Sequence, residues 1–386
     1  MVQIFKVLLL WMAGLGAATQ FAKIAVPFAD VALLYPDHTG WLLSIISLIG
    51  AVLGALSGAI AGRVGPTRLL IFGLVLGGAI SAFQASLPGF AAMMASRVVE
   101  GVSHLAIVVA APTLIAQITT GRARNVAMVL WSAFFGVAFA LNAWIGLPFV
   151  SQFGLPAYFM THAALMVSTA VLILACRIKV DLGPHEGSGF GVTAIARVHL
   201  NIYRSPFISA PAVGWFFYTL TFVSLLAILP SRLPEGQGTI VAGLMPLAGI
   251  AFSFALVPAL SSVISCVAVT MLGFSLAIAV LVASLMGAPL AVICVALFAV
   301  LGLVQGGSFA AVPELNSVAA DQAASYGALA QMGNAGNLLG TPILLAVLGV
   351  GGEPAMVLAI ILSYGLAITA HGFLARRRAI SLTDPV

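Results

Sequence analysis

Charged and turn-forming residues punctuate this chain so as to leave apolar runs of about twenty residues. Between breaks there is neither the alternation of a strand nor the polar stripe of a surface helix. A helix needs about 20 mostly apolar residues to cross a bilayer. Reading from break to break predicts about twelve such helices, at roughly 7–27, 40–61, 68–86, 90–118, 126–148, 157–176, 207–229, 239–260, 263–284, 290–312, 326–348 and 355–375. The breaks are short, as in "GRVGPTR" (62–68), "LPG" (87–89), "TGRARN" (120–125), "MGAP" (286–289) and "VGGEP" (350–354). The first run, with Lys6 ahead of an apolar stretch, shares features with a signal peptide, but its apolar character continues past Lys23 to Pro27 and further spans follow.

The longest polar stretch, "CRIKVDLGPHEGSGFGVTAIARVHLNIYRSP" (176–206), lies between the sixth and seventh runs. Its "GSGFG" follows no strand, precedes no lysine at phosphate-loop spacing and misses GxGxxG, so it reads as a linker. The expected organisation is a six-helix block over 1–176, a cytoplasmic linker over 177–206, and a second six-helix block with a cytoplasmic tail over 207–386. The blocks echo one another: "VEGVS" (99–103) returns as "VQGGS" (304–308), each followed by a proline, Pro112 and Pro313. An offset of about 200 residues is what a duplicated six-span unit gives.

Composition agrees. Of 386 residues 62% are hydrophobic and 6% charged, with a mean hydropathy of +1.18. Soluble domains carry about 25% charged residues, so lipid is the solvent for most of this chain. A net charge of +5 would suggest nucleic acid in a soluble protein. Here the basic residues fall on one side: Lys6, Arg63, Arg68, Arg122, Arg124, Arg177, Lys179, Arg197, Arg204 and Arg376–Arg378 against Arg232. That asymmetry predicts both termini in the cytoplasm, and the expected location is a bacterial-type inner membrane. Cys176, Cys266 and Cys294 sit in apolar runs without CxxC spacing, so neither a disulfide framework nor a metal site is implied.

One run, "GAVLGALSGAIAGRVG" (50–65), carries Gly50, Gly54, Gly58 and Gly62 in a four-residue register. Glycine costs about 1 kcal/mol against alanine in a water-exposed helix. In lipid, helices associate through close backbone approach, and a small residue every fourth position provides the face for it. The stripe is expected to be a packing or gating seam, and Gly73 on the next helix to tolerate bulk better.

With two six-span halves and a central loop, "GAIAGRVGPTR" in the 2/3 loop resembles the signature of the major facilitator superfamily, roughly G-x-x-x-D-R-x-G-R-R. Gly58, Arg63 and Gly65 match; Gly62 replaces the aspartate and Pro66–Thr67 the basic pair. "RVVEG" resembles the fourth-span R-x-x-Q-G, with Arg97 and Gly101 matching and Glu100 in the glutamine's place. The fifth span lacks the G-x-x-x-G-P of proton-driven exporters, and "ALAQMGNAGNLLGTP" (328–342) is similar to a segment of cyanate-transporter-like members. The resemblance implies an all-α membrane fold of two pseudo-symmetric six-helix bundles, with the solute site between the halves and alternating access by rocking.

Ionisable residues at membrane depth are costly and usually face a cavity or a partner. Lys23 stands in the first span; Arg97, Glu100 and His104 follow at i+3 and i+4 on one face of the fourth. At about 1.5 Å per residue, His104 falls near mid-membrane. Arg97–Glu100 reads either as a structural ion pair or as an anion contact, with Glu100 and His104 as candidate proton-coupling groups. Lys23 either snorkels to the interface or touches solute. Gln20, Asn142, Gln305, Gln331, Asn334 and Asn337 complete a candidate polar lining, and Trp215, Tyr218 and Phe222 could pack on a ligand's apolar part or simply fill the core. Two buried cations against one carboxylate favour a small anionic or strongly polar organic solute.

The expected protein is a monomeric secondary transporter needing no cofactor or metal, with a proton as candidate coupling ion. A proton-driven efflux pump for amphipathic compounds is the alternative within the class; a non-transporting sensor or scaffold is the alternative outside it. HExxH is absent and adjacent Ser103 and His104 point about 100° apart, so no catalytic constellation is present and an intramembrane enzyme is not expected.

Overall fold

A computed structural model describes residues 2–36, 38–56, 64–178, 192–234 and 236–383, all of them helix, turn or loop. Helices α1 (Val2–Ala25), α2 (Phe28–Leu34), α3 (Thr39–Leu56), α4 (Pro66–Gln84), α5 (Phe90–Ile118), α6 (Gly121–Ser132), α7 (Phe134–Leu141) and α8 (Leu147–Ala175) come first. Then come α9 (Val192–Arg204), α10 (Ala210–Ile228), α11 (Gln237–Ser261), α12 (Cys266–Leu285), α13 (Leu290–Leu315) and α14 (Ala319–Thr383). They group into two compact units, Met1–Gly50 with Leu56–Ser188, and Ala51–Ala55 with Gly189–Val386. Amphipathic α9 thus belongs to the second unit, its Ile202 packed with Ala212 and Ala328.

Among the described residues ten apolar stretches are long enough to cross a membrane. Two of them, Phe134–Ala175 with 42 residues and Ala320–Ser381 with 62, far exceed what a ~30 Å hydrocarbon layer accommodates in one pass. Each is broken at a glycine, Gly154 (φ 80°) and Gly352 (φ 68°), followed two residues later by Pro156 and Pro354. Only glycine adopts such backbone readily, and proline then restarts a helix at its first turn. A positive-φ residue also stands just before a proline at two further breaks: Leu87 (φ 48°) one before Pro88, and Gly287 (φ 91°) two before Pro289. Similar turns thus stand at breaks of both units, as the segments "VEGVS" and "VQGGS" do.

Within the first unit α1 is enclosed by α5, α7 and α8. Leu10, Ala13 and Ala17 meet Leu70, Leu74, Ile107, Ala110, Leu114 and Met166 in its core. Small residues set this spacing, since a Cβ on Gly16 would lie 2.6 Å from Met166 Sδ.

The glycine stripe differs from the expected regular helix. α3 contains 3₁₀ turns at Ile45–Ser47 and Gly54–Leu56, so the four-residue register is interrupted within it. Gly50 is buried, a Cβ on Gly54 would lie 2.7 Å from the Gln331 backbone, and Gly58, Gly62 and Arg63 lie outside the described residues. Gly73 is also closely packed, though less tightly than Gly54: a Cβ there would lie 3.0 Å from both Ala106 Cβ and Ile107 Cγ1. Gly65 caps α4 at φ 87° with open space around it.

Candidate solute site in the first unit

The first unit holds a polar network in an otherwise apolar core. Lys23, Arg97 and Glu100 have 0% exposed side chains. The Lys23 ammonium donates to Glu100 Oε1 at 2.5 Å and to Ser81 Oγ at 2.5 Å. Arg97 Nη1 donates to Glu100 Oε2, one helical turn along α5. Arg97 is further held by Leu42 O (to Nε, 2.8 Å) and Gln20 O (to Nη1, 2.8 Å), while Gln84 Nε2 donates to Glu100 Oε2 at 3.0 Å. Lys23 therefore does not snorkel; it turns inward and shares the carboxylate with Arg97.

The formal charge of this cluster is +1, because one carboxylate faces two cations. Buried charges are tolerated when paired and fully hydrogen-bonded, and this pairing is incomplete. Arg97 Nη2 is buried without an acceptor, and so is Gln20 Oε1 without a donor. A guanidinium edge with free N–H donors is suited to bidentate recognition of carboxylate-like oxygens.

Two groups here carry no sequence motif. His162 Nε2 lies 2.9 Å from Gly16 O, and its Nδ1 lies 2.7 Å from Ser81 Oγ. A carbonyl only accepts, so Nε2 bears the proton of the neutral ring and Nδ1 accepts from the Ser81 hydroxyl. Ser81 Oγ in turn accepts from Lys23, giving an unbroken chain from Glu100 through Lys23 and Ser81 to His162. His162 meets the same criterion that singles out His104, a titratable side chain in an apolar run. Ser81, one of many apolar-run hydroxyls, gives no signal.

The remaining candidates are dispersed. His104 Nδ1 donates to Ala17 O at 3.1 Å and its ring stands edge-on to Phe21, so no bond joins it to Glu100. Gln20 Nε2 donates to Ser103 Oγ at 2.7 Å, and Ser103 donates to Gly73 O. Asn142 opens a π turn, donates to Ala138 O and Thr19 Oγ1, and accepts from the Tyr158 hydroxyl.

In the second unit Gln305 accepts from the Tyr218 hydroxyl at 3.2 Å, as Glu100 at the matching place in the repeat accepts from Lys23. Gln331 does not present a free amide: it donates to Ala51 O and toward His199 Nε2 and accepts from Tyr203. Burial pushes the Tyr203 phenol up to about 12, so it remains a donor at neutral pH. Asn334 donates to Ala330 O on its own helix, whereas Asn337 Oδ1 is buried without a partner. Trp215, Tyr218 and Phe222 stack on one another, and Tyr218 and Phe222 are buried, which places them in the core. The glycines of 328–342 seat α14 on α10: a Cβ on Gly336 would lie 2.5 Å from Phe216 O, and one on Gly340 would overlap Leu220 O.

No curated protein matches the chain. The family model described as Major Facilitator Superfamily matches residues 7–341, across both units and the paired "VEGVS" and "VQGGS" segments. An all-helical chain with these membrane-crossing stretches and that match is a multi-pass membrane transporter belonging to the major facilitator superfamily.

Proposed function

We propose that the protein carries a small organic anion by alternating access, through twelve spans, with Arg97 as its principal contact. The observation that supports this most directly is the fully buried Arg97 with Nη2 unpartnered in a cluster of net positive charge. A solute carboxylate reaching Nη2 would bring that cluster to neutrality. Glu100 would move its share of the pairing toward Lys23 when the anion engages Arg97, so Lys23 sets the charge while Arg97 makes the contact. Gln20, whose Oε1 is free, is the neighbouring polar contact. Glu100 is the candidate coupling carboxylate, because a proton there would release both cations to the solute.

A thermal-shift screen of purified protein tests the solute class, using small mono- and dicarboxylates and matched amides and amines. A ligand at about 100 times its Kd adds about 2.7 kcal/mol of stability. Carboxylates should raise the melting midpoint of wild type and leave Arg97→Gln unmoved. A response to amines or amphipathic cations, with carboxylates silent, would refute the anion reading in favour of efflux of such compounds.

A further inference from the structure

We propose that His199 on α9 is a proton-binding switch: taking up a proton turns the Gln331 amide over and detaches α14 from the Ala51–Ala55 segment of α3. Gln331 joins three elements through one side chain. Its Nε2 donates to Ala51 O at 2.9 Å and to His199 Nε2 at 2.8 Å, while its Oε1 accepts from the Tyr203 hydroxyl at 2.8 Å. Ala51–Ala55, α9 and α14 all belong to the second unit. His199 and Gln331 are both half-buried, and α9 lies outside the ten apolar stretches.

The partners dictate the protonation state. A carbonyl only accepts, so the Gln331 atom facing Ala51 O is the nitrogen. That nitrogen directs its second proton at His199 Nε2, which therefore offers a lone pair, and the neutral ring bears its own proton on Nδ1. A proton delivered to Nε2 by hydronium, which leaves as water, forms an N–H bond pointing at an N–H donor. Turning the amide by about 180° about its last, broadly two-fold torsion resolves this conflict. Oε1 then accepts from the imidazolium, and Nε2 donates to the Tyr203 oxygen, whose hydroxyl can rotate. Ala51 O cannot follow, because it would face Oε1, acceptor against acceptor. His199 thus gains a charge-assisted bond to α14, and Ala51 loses its bond.

What that bond holds is a close seam. A Cβ on Gly54 would lie 2.7 Å from the Gln331 backbone, and one on Gly327 would lie 3.2 Å from Ala55 O. Ala55 and Tyr203 also pack against the cluster of Ile202, Ala212 and Ala328. Residues 51–55 carry no titratable side chain, so the charges around the switch come from α9, α14 and α10. α9 brings Arg197, Arg204 and the Tyr203 phenol, which stays a hydroxyl at neutral and acid pH because burial pushes it up to about 12. α14 brings Arg377, which donates to Arg204 O at 3.1 Å, and carries Asp321 and Tyr326 ahead of Gln331. From α10 the titratable group is Tyr218, bonded to Gln305. Imidazole is the side-chain type among these whose charge changes between about pH 5 and 8.

Backbone amide hydrogen exchange, read by mass spectrometry on the full chain in nanodiscs, tests the switch with the proton itself as probe. The reporter is the peptide containing Ala51–Ala55, its rates corrected for the intrinsic pH dependence of exchange. From about pH 8 to about pH 5, its protection should fall sigmoidally by about fivefold, the net loss of one hydrogen bond. His199→Gln, whose own amide oxygen can accept from Gln331, should hold the high-pH protection throughout. Gln331→Leu should show the low-pH protection at every pH. A wild-type profile without the fall, or the same fall in His199→Gln, would overturn the proposal. The measurement needs no solute, so it can fail while the anion reading stands, and the reverse.

Discussion

Glu100→Gln and Lys23→Met separate a structural cluster from a functional one. Glu100 is fully buried and holds Lys23, Arg97 and Gln84. At 2.5 Å, an effective dielectric of about 20 gives roughly 6–7 kcal/mol of gross attraction for the Lys23 pair. Desolvation of each buried ion costs several kcal/mol and offsets most of this. Removing the carboxylate leaves that cost without its compensation, so Glu100→Gln strands two cations and should lose about 3–5 kcal/mol. At about 2–4 °C per kcal/mol, the apparent melting midpoint should fall by roughly 10 °C. Lys23→Met acts oppositely. It leaves the one-to-one Arg97–Glu100 pair, and Ser81 can still donate to His162. Its midpoint should stay level or rise, while stabilisation by carboxylates is lost.

Thermal unfolding followed by intrinsic fluorescence, with and without a carboxylate panel, reads both variants. If Lys23→Met destabilises as much as Glu100→Gln, the excess positive charge is a structural tie. The argument that it is retained for an anion then fails. If Glu100→Gln keeps the wild-type midpoint, Glu100 is not the counter-ion on which the two cations depend.

Gly340→Leu and Gly73→Leu should both abolish monodisperse protein in size-exclusion profiles, because Leu220 O and the Ala106–Ile107 wall stand where the side chain must go; Gly349→Ala, with nothing within 4 Å, should behave as wild type. Gln331→Leu removes the bonds to His199 and Tyr203 and should speed protease cleavage within α9 several-fold, whereas Asn334→Leu, bonded only along its own helix, should not. The lysine–arginine asymmetry requires reporters fused after Arg204 and after Arg378 to report from the cytoplasm, and a periplasmic signal from either would break the proposed orientation.

The membrane fold was legible because hydropathy and turn residues act locally. A run of twenty apolar residues must be helical in lipid whatever surrounds it, and Gly154 and Gly352 break the two longest stretches at glycines followed by proline. The polar network was half legible. Arg97 and Glu100 meet because they are one turn apart on α5, a local relation. Lys23 meets Glu100 across 77 positions, and the sequence carried no trace of which way α1 faces. The glycines were half legible for the same reason. Spacing shows where a helix could approach another but not whether a neighbour comes, and Gly73, outside any stripe, is packed tightly.

The duplicated segments draw the two cases together, since one local pattern acquires different chemistry from its neighbours. In "VEGVS" the second residue is an acid facing a first-helix lysine, and the serine is satisfied by Gln20. In "VQGGS" the second residue is an amide facing a first-helix tyrosine, and the serine faces a histidine. Buried ion pairs are thus found in the first unit, as the proposed anion contact at Arg97 requires. In the second, the matching positions carry neutral donors and acceptors. His371→Gln should accordingly leave carboxylate-induced stabilisation of the first unit's site intact, and a lost thermal response in that variant would show that the proposed solute site depends on this buried histidine of the second unit as well.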